Sequence, residues 1–174
     1  MKSNPFTFAL LLAFAAVGNL TSLVSAADST SALKASDEKF VKMAGADGMA
    51  EVKIATLGTQ KAERTDVKDL ATMLVTDHTK ANAELTALAE SKKVQLSAVI
   101  TPKAAKAFED LEKVSGKDFD KAFLKQLEKD HKDCISNFED AEKNAEDADV
   151  KAWATKTLPT LRAHLDKVKE LAGK

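Results

Sequence analysis

Tyrosine is missing from this 174-residue chain, tryptophan and cysteine occur once each, proline three times and glycine six times. With one cysteine, Cys134, no disulfide can close within the chain even in an oxidising compartment. The lack of tyrosine excludes the radical-bearing tyrosine that some di-iron proteins use. An excess of one charge is missing too: 26 Lys and Arg against 27 Asp and Glu give a formal charge of -1, and the signs are interspersed. No basic face marks the chain for nucleic acid or anionic lipid. There is no alternating strand pattern of useful length, no glycine-rich phosphate loop, no paired CxxC, and no serine tied by spacing to a histidine.

The long apolar run is at the start. Phe6 to Val17 is about twelve residues, too short to span a bilayer. With Lys2 before it and Val24-Ser25-Ala26 after it, Met1 to Ala26 reads as a secretory signal, which puts the mature protein in the periplasm or outside the cell. No cysteine follows the cleavage site, arguing against a lipid-modified N-terminus. Cleavage leaves no membrane span and enough chain for one domain. The expected organisation is a signal peptide over 1–26, a flexible Ser/Thr/Ala leader over 27–35, and one domain over 36–174.

What the domain holds is helix periodicity. Val67, Ala71, Leu74, His78, Ala81, Leu85 and Leu88 follow one another at alternating steps of four and three, the seam of a bundled helix. Leu124, Leu127, His131, Cys134, Phe138, Ala141 and Ala145 repeat it, as do Val150, Ala154, Thr157, Leu161, His164, Val168 and Leu171. The first helix is weaker, with Phe40, Ala44, Asp47, Glu51, Ile54 and Gly58 on its seam and three glycines in its length; small residues beside Glu51 are expected to leave room for its carboxylate. Ser36 and Thr65 stand where helix caps belong. Thr101-Pro102 starts a short helix closed by Ser115-Gly116, and Pro159 predicts a kink in the last helix. Four long helices with short, long and short connections predict an all-α, ferritin-like four-helix bundle, its long second-to-third crossover carrying a short extra helix.

The three histidines of the chain all fall on seams. If two positions in seven face the core, three independent histidines would all do so about 2% of the time. Glu51, His78, His131 and His164 each lie twelve to fifteen residues beyond a helix start, hence roughly 20 Å along rods about 40 Å long. They are expected to meet in one layer. A carboxylate and three imidazoles suit Zn, Cu or Fe, with Asp47 one turn from Glu51 as a supporting group or further ligand. The competing reading is a metal-free polar layer that fixes helix register in a structural or interaction module of the cell envelope. Acid-base catalysis is a third, and it needs a cleft that reaches mid-bundle. Asp77 and Asp130 point about 100° away from their neighbouring histidines and are expected to face water. Cys134 reads as a small buried hydrophobe.

The stretches FVKMAGADGMAEVKIATLG, LATMLVTDHTKANAELTALAE, LEKVSGKDFDKAFLKQLEKDHKDCISNFEDA and LPTLRAHLDKVKEL together resemble the exported bacterial family named domain of unknown function 4142. That resemblance implies a ferritin-like fold and a periplasmic or outer-membrane location; it supplies no catalytic residues, and the protein partner is left open. The di-iron pattern of ferritins proper is not met. Val75 and Leu161 stand three residues before His78 and His164 where that pattern needs glutamates. Glu128 has the spacing to His131 but on the wrong helix and one step off the seam.

Overall fold

The computed structural model describes residues 33–174, so the expected signal peptide and most of the expected leader lie outside the described residues. The described chain is helical: α1 Ala35–Lys61, α2 Thr65–Ser91, α3 Pro102–Glu112, α4 Lys117–Asn144 and α5 Ala148–Ala172, with no strand. α1 packs mainly on α2 and α4 on α5, while α1 also touches α4 and α2 touches α5. This is the expected four-helix bundle, with α3 in the long crossover between α2 and α4.

Two buried aspartates fix how the hairpins meet. Asp37, in the first turn of α1, accepts the backbone N–H groups of Glu146 and Asp147 in the α4–α5 turn, at 3.0 and 2.8 Å. Asp120, in the first turn of α4, accepts those of Glu63 and Arg64 in the α1–α2 turn, at 3.0 and 2.9 Å. The start of α1 therefore lies beside the end of α4, and the start of α4 beside the end of α1. These two helices run antiparallel. Lys92 at the end of α2 pairs with Asp147 and Asp149 at the start of α5, so that pair is antiparallel as well. The crossover must then run the length of the bundle.

The helix starts correct the expected caps. α1 begins at Ala35, before Ser36, whose hydroxyl bonds Asp37 instead. α2 begins at Thr65 itself, and neither helix has a side-chain cap from its own preceding residue. Orphan N–H groups of a tight turn need acceptors, and here a carboxylate from the other hairpin supplies them. Thr101 does cap α3, accepting from Ala104 N–H at 3.2 Å, with Pro102 behind it. α5 stays helical through Pro159; both Pro159 and Thr155, whose carbonyl loses its donor, are exposed, so that carbonyl is open to solvent.

Gly48 lines the same cleft as Glu51, and two of the glycines also serve packing. A Cβ on Gly58 would lie 2.4 Å from the buried Phe123 ring, and one on Gly48 would lie 2.0 Å from Asn82 Oδ1. The core falls into two apolar clusters. One gathers Ile54, Leu70, Leu74, Phe119, Phe123, Leu127 and Leu171; the other gathers Phe40, Leu85, Phe138, Trp153, Leu158 and Leu161. Between them in each of the four long helices sits the polar layer.

Candidate metal centre

Glu51, His78, His131 and His164 are all buried, at 6, 6, 0 and 2% exposure. Each stands on the seam that its apolar neighbours define, and the alternating steps carry it inward with them. The three rings pack mutually with centroids 5.2 to 5.5 Å apart. One ring nitrogen from each histidine lies within 4.8 Å of the other two. The layer inferred from helical rise is therefore present.

Partners decide which nitrogens carry protons. Nδ1 of His131 lies 3.0 Å from the Leu127 carbonyl, which can only accept, so Nδ1–H donates and Nε2 keeps its lone pair. Burial first, and then His164, hold the His131 imidazole down to about 4, so it is neutral at pH 7. Nε2 of His164 donates to Asp77 Oδ2 at 2.9 Å, leaving Nδ1 turned inward. The two inward nitrogens, His131 Nε2 and His164 Nδ1, face each other at 3.4 Å. Two lone pairs repel at that distance, so a positive centre belongs between them, either a proton or a metal ion. Two nitrogens bound at 2.0–2.1 Å to one tetrahedral ion stand about 3.4 Å apart. His78 Nε2 is buried with no hydrogen-bond partner, and burial followed by the other two imidazoles holds this ring down to about 3.

Glu51 is in the layer but outside the converging trio. Its Oε1 lies 3.8 Å from His131 Nδ1, the nitrogen turned away from His164, and its Oε2 is buried without a partner. Burial, then Asp130 and Asp47, raise its carboxyl well above the ordinary value. Asp77 keeps 38% of its side chain exposed, as expected, but the α2–α5 contact also brings His164 to it from across the bundle. Adjacency to His78 in sequence gave no sign of this, because the partner lies 87 residues on. Asp130 is half-buried and accepts from Gln126 at 2.6 Å. Glu128 pairs with Lys132 at the surface. Cys134 is partly exposed, packs against the second apolar cluster, and has its thiol pushed up by burial, then by Glu51, which agrees with its reading as a small hydrophobe.

A family model matches residues 22–171. The chain belongs to DUF4142, a domain of unknown function. No curated protein matches this DUF4142 chain. Among solved structures, it is similar to a DUF305 fragment from Deinococcus radiodurans, with a TM-score of 0.73 and 13% identity over 81% of this chain and 97% of that one. It is also similar to CopM in the Cu(II)-bound form, with a TM-score of 0.68 and 17% identity over 79% of this chain and 95% of that one. CopM in a silver-bound form obtained by co-crystallization gives a TM-score of 0.62 and 20% identity over 77 and 93%. At such identities the likeness establishes a shared helical fold.

Proposed function

We propose that this DUF4142 domain is an exported metal-binding bundle, in the periplasm or outside the cell, that holds one transition-metal ion between His78, His131 and His164. Glu51 would complete the set, by a modest rotation or through a metal-bound water. The observation that carries this reading is the pair of inward nitrogens, each freed by a partner on the far side of its ring. Leu127 O and Asp77 are the outer groups that orient a metal-binding imidazole in other proteins. A neutral trio with one carboxylate suits Zn, Cu or Fe. That CopM, which shares this fold, has solved structures in Cu(II)-, Cu(I)- and silver-bound forms supports the same chemistry.

A metal-free polar layer answers the geometry less well. A proton on His164 would satisfy the 3.4 Å contact. It would still leave His78 Nε2 and Glu51 Oε2 orphaned, and each buried unpaired group costs about 1–3 kcal/mol. The test is metal content by mass spectrometry on mature protein made without a histidine tag, followed by titration with Zn, Cu and Fe. One ion per chain is expected, with the stoichiometry lost in His131→Ala. A protein that arrives metal-free and takes up none of the three rejects the centre.

A further inference from the structure

A cleft of about 1090 Å³ runs from α3 into the bundle, and along α5 its walls extend from His164 back to Trp153, roughly 16 Å of helical rise. Its two ends differ in chemistry. His78 and His164 stand at mid-bundle, whereas Met43, Ala44, Phe138, Trp153, Thr157 and Leu161 share the wall towards the start of α5. None of these six carries a charge. The Phe138 and Trp153 rings lie 5.2 Å apart, and Phe40 packs on both, at 5.1 and 6.1 Å.

Among the described residues, three buried side-chain polar atoms lack a hydrogen-bond partner: Glu51 Oε2, His78 Nε2 and Trp153 Nε1. All three residues line this one cleft. The first two belong to the polar layer, but Trp153 packs in the second apolar cluster, is 9% exposed, and carries an N–H that can only donate. The Thr157 hydroxyl, one turn on, bonds the Trp153 carbonyl instead, at 2.8 Å. A buried donor without an acceptor costs as much as a lost hydrogen bond, and a phenylalanine would build the same apolar wall without that cost. An indole in this place therefore marks a position for an acceptor.

We propose that the Trp153 end of the cleft binds an uncharged, apolar small molecule bearing one oxygen acceptor, a ketone or an ether, to which Trp153 Nε1–H donates. The uncharged wall excludes an ionic ligand, which would lose its water there without gaining a partner. The space is of the size that encloses small organic ligands, and its lining has their usual character, mostly apolar with a single polar group that sets orientation. Nothing in this site depends on the imidazoles holding an ion, so chelator-treated protein is used throughout. The probe is Nile red, an uncharged dye with a ring carbonyl, whose emission rises and moves to shorter wavelength when it leaves water.

Wild-type protein is expected to bind one dye per chain, saturably, and Thr157→Phe, which fills the space, to bind none. Should that variant lose its helical circular dichroism, Thr157→Met is held to at least about tenfold weaker binding. Displacement of the dye by acetophenone and by toluene then separates the donor from the wall. Trp153→Phe is expected to weaken acetophenone about fivefold, the worth of one neutral hydrogen bond, and to leave toluene unchanged. No saturable dye binding by wild type, equal binding by the filled variant, or equal losses for acetophenone and toluene overturns the site.

Discussion

At the scale of single residues, burial sets the protonation of the polar layer, and pH should read it out. In metal-free protein His78 and His131 bind fewer protons folded than unfolded from about pH 3–4 up to 6.5, so their contribution is complete above 6.5 and is lost as pH falls. Glu51 acts the other way. Its folded value is raised above 4.5, so its contribution is present below 4.5 and is lost as pH rises through the folded value. Between 4.5 and 6.5 two imidazoles outweigh one carboxyl, and stability rises with pH; beyond 6.5 the rise stops. Urea midpoints of chelator-treated protein should therefore climb to about pH 6.5 and then level or turn down. Glu51→Gln should remove any downturn, and a wild-type curve that climbs steadily to pH 8 contradicts the account. Asp77→Ala should weaken metal binding about 10–100-fold by releasing the His164 tautomer, with little change in metal-free stability. Isothermal titration with zinc checks the first part and urea midpoints the second. All three histidines were legible as inward residues because the apolar steps of four and three name the buried face. Asp77 was not, because local spacing carries no record of a partner from another helix.

At the scale of the element, helices were easier to place than their ends. The seam from Leu124 to Ala145 falls almost wholly within α4, which runs Lys117–Asn144. Seams rest on many residues at once, whereas a boundary rests on one or two. Ser36 and Thr65 failed as caps because each already stands inside its helix, which begins at Ala35 and at Thr65. Gly58 shows the same limit. Its cost to helix propensity is visible in sequence, but the Phe123 ring that occupies its missing Cβ is not. Gly58→Ala should gain roughly 1 kcal/mol of propensity and lose more than that to overpacking, because Phe123 and Ala71 are both fully buried. A lower thermal midpoint checks it, and a higher one would mean the ring can move aside.

For the whole molecule, the two buried aspartates close opposite ends of one bundle. Removing either leaves two turn N–H groups without their acceptor, and each of Asp37→Ala and Asp120→Ala should cost about 1–3 kcal/mol. Since the two contacts share no residues, their effects should add within about 0.5 kcal/mol in denaturant melts. The arrangement of four long helices and a crossover was legible because the linker lengths allow few alternatives. How the hairpins lock was not, because it depends on side chains 56 to 110 positions apart in the chain.

Each half of the fold contributes to the polar layer: Glu51 and His78 come from the first hairpin, His131 and His164 from the second. The single covalent tie between them passes Val99, which is 71% exposed. A chain cleaved there should yield two fragments that find each other again, and if the imidazoles hold zinc, that ion should tighten their reassociation like a rivet through two plates.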